Sequence, residues 1–211
     1  MTDIFAPFDH AFPCTEFSHA LFFDWDHALR FELGGEGVPT TRALKRFNQA
    51  LHRASTVAAA LFQNTEELWL LTSYYGEKPR TKKRLKQLRH CGLDPANITH
   101  LGAVAQIDED YIAEFGCDQF RFWDAFQLTE KSQLQEVLWL TLGAELGVHP
   151  RLTMDVYFVD FAQNLVLHPY DDRGMDVVAI NKDALLPLYQ RFGDWLLEWN
   201  RPEMRSNFDA E

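Results

Sequence analysis

The sequence predicts a single α+β domain over residues 1–211, in which a mainly antiparallel sheet is flanked by about four helices. Two observations lead to this fold class. Helix-like and strand-like patterns follow one another with no internal repeat and no linker rich in Pro, Gly or Ser, and short strands near the end suit an antiparallel meander. The apolar fraction of 46%, with 17 Phe and 6 Trp, is enough for a substantial core and argues against a disordered chain.

In the first half of the chain, residues 5–25 are aromatic and irregular. Residues 28–33 alternate between apolar and polar positions, which predicts a strand, and residues 68–75 form a second short apolar run. Between these strands, Thr40 or Thr41 begins a helix that runs to residue 62. Its apolar stripe at helical spacing comprises Leu44, Phe47, Leu51, Ala54, Ala58 and Leu61.

The rest of the chain predicts three further helices. A basic helix over residues 81–91 ends at Gly92, another covers residues 129–146, and a final one begins at Asp183 and stops before Pro202. The buried stripe of the final helix is expected at Leu185, Tyr189, Phe192, Leu196 and Trp199. Short alternating or apolar runs predict five further strands over residues 98–105, 119–126, 155–161, 165–167 and 177–180.

The net charge of −11 predicts a surface that repels nucleic acid and anionic membranes and attracts a basic protein partner. A basic run over residues 78–89 is interpreted as a solvated helix face, with Leu85 and Leu88 turned inward. Three distant cysteines fit neither a disulfide framework nor a zinc knuckle, and no cofactor or metal is expected. Without a signal-peptide pattern or a membrane-length apolar run, a cytoplasmic protein is expected.

The most unusual stretch is residues 168–176, which places a histidine, a tyrosine, an arginine, a glycine and three carboxylates between two apolar runs. A plain hairpin turn needs only an Asp-Gly or Asn-Gly pair, so these side chains are candidates for a functional site. The candidate catalytic residues are His168, Asp171, Asp172 and Arg173. The candidate binding residues are Tyr170, Asp171, Asp172, Arg173 and Asp176, together with Asp24 and Asp26 before the first strand.

Two interpretations of this loop remain open. In the structural one, Asp171 and Asp172 form Asx turns, Arg173 pairs with a carboxylate from elsewhere in the chain, and Gly174 takes a positive φ. In the functional one, His168 is a general base oriented by a neighbouring aspartate, while Arg173 holds an anionic group. A divalent cation is disfavoured because the spacing matches no calcium loop.

A resemblance to a known family is carried by residues 28–34 (ALRFELG), 156–160 (VYFVD), 168–176, 188–189 and 194–195, with YDDRG at residues 170–174 as its specific motif. In these segments the chain resembles the bacterial family called domain of unknown function 3885. The resemblance spans most of the chain and implies one domain that carries this loop, but no particular activity. Some small acidic bacterial proteins of this kind resemble immunity partners of secreted toxins.

Two functional hypotheses follow. The first is a module that binds a basic protein, as an immunity-type protein that neutralises a toxin. It depends on the acidic charge, the aromatic content and the absence of Gly-x-Ser-x-Gly and phosphate-loop signatures. The second is a small enzyme acting on an anionic or phosphorylated substrate at the 168–176 loop. A pocket that converges on His168, Asp171 and Arg173 would favour the enzyme, and a flat acidic face would favour the binder.

Overall fold

The predicted strands assemble into an antiparallel sheet of seven strands among the residues that the computed structural model describes, which are 2–35, 37–76, 85–105, 112–113 and 120–209. The strands are β1 Ala28–Glu32, β2 Leu68–Gly76, β3 Thr99–Ala105, β4 Phe120–Leu128, β5 Asp155–Asp160, β6 Leu165–Pro169 and β7 Gly174–Ala179. Their order across the sheet is β1-β7-β6-β5-β2-β4-β3, and every pairing is antiparallel. The predicted α+β class is therefore confirmed.

The described α-helices begin close to predicted positions at residues 43, 131 and 182, whereas no sequence pattern predicts those over residues 21–24 and 201–208. They are α1 Leu21–Asp24, α2 Ala43–Leu61, α3 Lys131–Leu142, α4 Lys182–Arg191 and α5 Arg201–Phe208. At the start of α3, the Gln133 side chain accepts a hydrogen bond from the Glu130 backbone N–H at 3.1 Å. At the start of α4, the Asn181 side chain accepts one from the backbone N–H of Asp183 at 2.9 Å. Both contacts satisfy donors that a helix start leaves unpaired. No described helix is long and apolar enough to span a membrane.

Both faces of the sheet are covered. Every residue of β6 and β7 is buried, although neighbouring side chains in a strand point to opposite faces. Helices α2, α3 and α4 pack together on one face, against β6, β4 and β1 with β7 respectively. The N-terminal segment, residues 4–25, covers the other face, where Phe17 stacks on Tyr157 at 5.4 Å. The buried apolar residues from both layers form one contiguous core.

The prediction of one long final helix is wrong. Helix α4 ends at Arg191, and the chain turns through residues 193–200 before α5 begins. Leu196 forms a β-bridge with Phe31 at the edge of the sheet, and the Trp199 side chain is 86% exposed instead of buried. Pro202 lies in the first turn of α5, where a missing backbone N–H leaves no hydrogen bond unmade. A proline that was expected to stop a helix therefore begins one.

Two smaller expectations have mixed outcomes. Leu44 is 72% exposed, because α2 begins only at Ala43, after a 3₁₀ turn over Thr40–Arg42, and its buried stripe starts at Phe47. Most of the basic run lies at residues 78–84, outside the described residues. Within the described part, Leu85 and Leu88 are fully buried and Gly92 has a φ of +69°, as predicted.

Candidate functional site

One face of the sheet carries a row of polar side chains beneath the N-terminal segment. Arg30 of β1 lies opposite Asp176 of β7, which lies opposite His168 of β6. The His168 ring stacks on Tyr157 of β5 at 4.2 Å, and the Tyr157 hydroxyl accepts a hydrogen bond from Arg121 of β4 at 2.7 Å. We call these five residues the polar row. They alternate along their strands with apolar residues that face the helices, so the strands are amphipathic within a sheet covered on both sides.

Asp176 joins three elements at one end of the polar row. Its two carboxylate oxygens accept hydrogen bonds from the Arg30 guanidinium at 2.7 and 2.8 Å. It also accepts one from the backbone N–H of Phe22 in α1, at 3.1 Å. A bidentate arginine–carboxylate pair of this kind is strong and directional. The Asp176 side chain has no exposed area. Its partners are Arg30 of β1 and the backbone of Phe22 in α1, so it ties its own strand β7 to both elements.

The turn between β6 and β7 is held by its own aspartates. Asp171 accepts hydrogen bonds from the backbone N–H and the Nε of Arg173, at 2.7 and 2.8 Å. The Asx turn predicted at Asp171 is therefore confirmed, and Arg173 does pair with a carboxylate, although its partner is Asp171 of the same turn rather than a residue from elsewhere in the chain. Asp172 pairs with Arg46 of α2, and Arg46 also donates to the carbonyl of Gly35 at 2.9 Å. The turn is thus fastened to the helix layer.

The prediction that Gly174 has a positive φ is wrong. Gly174 is the first residue of β7, lies opposite Glu32, and is not among the residues with positive φ. A side chain is excluded here by close approach rather than by backbone conformation. A Cβ at this position would lie 2.8 Å from the carbonyl oxygen of Phe31 and would collide with the Tyr170 hydroxyl. Glycine is required because two neighbours occupy that space.

His168 is buried in the middle of the polar row. Its Nδ1 lies 2.7 Å from the carbonyl oxygen of Val156, to which it donates a hydrogen bond, and its side chain contacts the rings of Tyr157 and Tyr170. Burial lowers the pKa of His168, against the opposing charge of Asp155. A neutral imidazole that donates to a backbone carbonyl serves the packing of this face.

The candidate binding residues fall into two groups that do not meet. The turn at Asp171 and Asp172 precedes Gly174, which pairs with the last residue of β1, whereas Asp24 and Asp26 precede the first residue of β1. Asp176 contacts the backbone of α1, the helix that ends at Asp24, but among the described residues no hydrogen bond or ion pair joins Asp24 or Asp26 to Asp171 or Asp172. The structure therefore does not bring the two sets of carboxylates together. Among the described residues, no group of three His, Cys, Asp or Glu side chains is placed to hold a metal ion.

Four surface grooves are lined by described residues, and one of them is lined by Glu32, which lies opposite Gly174 of the loop. They have volumes of about 590, 410, 210 and 750 Å³, and none of the four has His168, Asp171 or Arg173 among its lining residues. The Arg173 side chain is 74% exposed, whereas the side chain of Asp171 is 7% exposed. The assignment of this loop as a catalytic or binding site stays a prediction, with Arg173 as the charged group that it presents to solvent.

Arg121, at the far end of the polar row, has a buried guanidinium that was not among the predicted site residues. It donates to the Ser73 hydroxyl at 3.0 Å, to the Tyr157 hydroxyl, and to the carbonyl of Phe17, and it lies 4.3 Å from the Trp123 ring. These contacts fasten the N-terminal segment to the sheet. Arg121 shares one face of β4 with the buried Trp123 and Ala125, because residues two apart in a strand point the same way, and this pattern is the signal that could have placed it on an inward face.

Asp155, at the start of β5, connects this cluster to the surface. Its Oδ2 accepts from Ser73 at 3.0 Å and lies 3.3 Å from both Arg121 and Nδ1 of His19. Burial alone would raise the pKa of Asp155, but its contacts with His19 and Arg121 outweigh burial and hold the pKa well below its usual range. The carboxylate is therefore ionised at neutral pH.

Exposed aromatic side chains and carboxylates lie along the outer edge of β1. Phe23 is 64% exposed and lines the 210 Å³ groove with Glu203 of α5. Trp199 is 86% exposed and lines the 750 Å³ groove with Glu32 and Glu198. We define the β1-edge face by six residues of these two regions: Phe23, Asp24, Asp26, Glu198, Trp199 and Glu203.

A family model, the domain of unknown function DUF3885, matches residues 4–200, which covers both the sheet and the loop. The chain belongs to the DUF3885 family. It is also similar to the uncharacterized protein YnaE of Bacillus subtilis (strain 168), with 23% identity over 205 residues. That alignment covers 90% of this chain and 95% of YnaE. No solved structure matches the chain.

Proposed function

We propose that this DUF3885 protein is a binding module that docks a basic protein partner through the β1-edge face. The observation that carries the proposal is the exposure of two large aromatic side chains, Phe23 at 64% and Trp199 at 86%, along one edge of the sheet. The two rings lie in separate grooves beside the two ends of β1, and exposed apolar groups rimmed by polar residues are candidates for interaction surfaces. Aromatic residues also supply much of the energy at the centres of protein interfaces.

The charges around the two rings support a basic partner. Asp24 and Asp26 follow Phe23 and are exposed, and the exposed Glu203 lies across the adjoining groove. At Trp199, the neighbouring Glu198 is 85% exposed and pairs with Arg201. Carboxylates around an apolar centre attract a cationic surface over several ångströms and accelerate its encounter with the protein. The net charge of −11 acts in the same direction.

A toxin is the class of basic partner that we propose, since a small acidic protein can neutralise a cationic protein by covering its positive surface. Charge complementarity between the acidic chain and a cationic toxin supports this class of partner. It predicts that the captured partner is basic and arrests growth when expressed alone, and that co-expression of the DUF3885 protein restores growth.

The experiment compares three proteins as baits in lysate of the native host. Wild type and the Phe120→Ala variant are expected to recover the same basic partner, whereas a double Phe23→Ala, Trp199→Ala variant loses it. Phe120 is a matched control because it is aromatic and 47% exposed. It lies on β4, five strands away from β1 across the sheet, and therefore far from the β1-edge face. Retention of the partner by the double variant, or turnover of a small anionic molecule that disappears in His168→Ala, would contradict the proposal.

A further inference from the structure

A partly buried tyrosine near the end of β2 lies beside a histidine of the N-terminal segment. The Oη of Tyr75 is 3.1 Å from Nε2 of His19, and the two rings stack at 5.5 Å. The His19 side chain is 38% exposed, so this pair lies at the surface rather than within the core. An imidazole nitrogen within hydrogen-bond distance of a hydroxyl can accept its proton during a reaction.

Asp155 sets the orientation of that imidazole. Its Oδ2 lies 3.3 Å from Nδ1 of His19, so the hydrogen-bond pattern assigns the proton to Nδ1. Nε2 is then the acceptor that faces the Tyr75 hydroxyl. Asp155 is itself held by hydrogen bonds from Ser73 at 3.0 Å and Arg121 at 3.3 Å. The three groups therefore stand in the order carboxylate, imidazole and phenol.

The sheet fixes this order. Ser73 lies opposite Asp155 across the β2–β5 pairing, and Tyr75 lies two residues further along β2, on the same face and opposite Arg121. His19 is brought over this face because the neighbouring carbonyls of Phe17 and Ser18 accept hydrogen bonds from the sheet. Rigid strands thus position two of the three groups, and backbone contacts position the third.

We propose that Tyr75, His19 and Asp155 form a nucleophilic site at which the Tyr75 phenol accepts an acyl group from an activated acyl donor. The Oη of Tyr75 forms a bond to the acyl carbon, and the bond between that carbon and the leaving group breaks. Nε2 of His19 takes the phenol proton and passes it to the leaving group. Asp155 is a positioning residue that keeps the imidazole in the required tautomer. A nucleophile, a base and an orienting group in this order are the general arrangement for activating a weak nucleophile.

The test uses N-acetylimidazole as the acyl donor and the full chain as the acceptor, with acetylation of each tyrosine followed by peptide mass spectrometry. Tyr189 is the comparison, because it is also partly buried but donates to the Asp209 carboxylate at 2.9 Å and has no imidazole partner of this kind in the described residues. We expect Tyr75 to react faster than Tyr189. The His19→Gln variant is expected to slow acetylation of Tyr75 by about tenfold or more, with Tyr189 unchanged.

Two further measurements separate activation from simple exposure. Asp155→Asn is expected to slow acetylation of Tyr75, and Asp155→Glu to restore part of the rate. In D₂O, Tyr75 should react more slowly than in H₂O, to a greater extent than Tyr189, because a proton moves as the bond forms. If His19→Gln does not fold by circular dichroism, the D₂O comparison on wild type decides. Equal rates at Tyr75 with and without His19, no acetylation of Tyr75, or an equal D₂O effect at both tyrosines would overturn the proposal.

Discussion

Single residues of the polar row show how buried charge is accommodated beneath the N-terminal segment. Asp176 receives three hydrogen bonds from Arg30 and Phe22, and Arg121 donates to four oxygens from two strands and the N-terminal segment. Burying a charge is costly unless it is paired and hydrogen-bonded. Each of these side chains therefore depends on its hydrogen-bond partners. Removing one partner leaves an unpaired charge in a buried position, which destabilises the fold.

Gly174 tests the role of close approach. We expect Gly174→Ala to lower the free energy of unfolding by about 1–3 kcal/mol, because a Cβ would collide with the Phe31 carbonyl and the Tyr170 hydroxyl. Gly193→Ala is the control, since a Cβ there meets no atom within 4 Å. Urea denaturation of both variants measures the difference. Equal stabilities would show that the space beside Gly174 is not filled.

His168 tests the effect of burial on proton binding. Its pKa is lowered from 6.5 in the folded state, so the unfolded chain binds a proton that the folded chain does not as the pH falls below that value. The free energy of unfolding should then decrease by up to about 1.4 kcal/mol per pH unit. Urea denaturation at several pH values between 7 and 5 should give a flatter dependence for His168→Gln than for wild type.

The control for this measurement is His149→Gln, because His149 is exposed. This variant should keep the wild-type slope, because the buried His168 is still present. Asp155 acts in a separate range: its lowered pKa gives stability that is present above the ordinary carboxyl pKa of 3.8 and is lost as the pH falls below it. A His168→Gln variant with the wild-type slope between pH 7 and 5 would contradict the account of this residue.

At the scale of elements, both edges of the edge strand β1 are held in the fold by backbone contacts. Its inner edge pairs with β7. Its outer edge is covered in part by Leu196, which forms a β-bridge with Phe31, and by Leu197, whose backbone N–H donates to the carbonyl of Arg30 at 2.9 Å. The Arg30–Asp176 pair adds α1 to this assembly. Covering an edge strand limits unwanted pairing with other chains. The elements around β1 therefore present side chains, rather than free backbone, to a partner.

The Arg30–Asp176 pair tests this coupling. We expect Asp176→Asn to cost about 3–5 kcal/mol in the free energy of unfolding, because Arg30 is left with an unpaired charge in a buried position. A double Arg30→Met, Asp176→Leu variant should recover much of the loss. Glu198→Gln breaks the exposed pair with Arg201 and should cost less than about 1 kcal/mol. Similar losses for Asp176→Asn and Glu198→Gln in urea denaturation would argue against a buried role for the pair.

Local patterns predicted most elements, because strand alternation, helix starts and glycine stops act over a few residues. The strand around Phe31, the hairpin of β5 and β6, and the buried Leu85 and Leu88 all follow from such patterns. The partners of the polar row could not be predicted in the same way. Arg30 and Asp176 are 146 residues apart, and their burial depends on a segment with irregular local structure. In a strand with alternating polar and apolar residues, an arginine normally indicates the face exposed to solvent, unless another layer of the structure covers that face.

The candidate site shows the same division. Its position at the β6–β7 turn and the Asx contact of Asp171 follow from residues next to one another in sequence. The pairing of Asp172 with Arg46 of α2 does not, because it depends on how the helix packs. The helical spacing of apolar residues continues past Arg191 and predicts a buried Trp199. The helix ends at Arg191, however, and the Trp199 ring is exposed. Exposure of this ring is the observation on which the docking proposal depends.

At the scale of the whole molecule, charge and shape act on the same partner. The chain carries 31 acidic and 20 basic residues, and the β1-edge face combines four of these carboxylates with two exposed rings. Long-range attraction is screened over about 10 Å at 0.1 M salt, whereas contacts of buried aromatic rings are not. Salt should therefore act on the acidic part of the interaction, and the aromatic substitutions on the short-range part.

The most direct test of the docking proposal is the affinity for the captured partner, measured by calorimetry at about 50 and 300 mM NaCl. The account predicts that the wild-type Kd rises with salt, and that the double Phe23→Ala, Trp199→Ala variant binds about 30-fold or more weakly at both concentrations, as expected for two central aromatic residues. Phe120→Ala should bind as wild type does. An affinity that changes neither with salt nor with loss of the two rings would contradict the account.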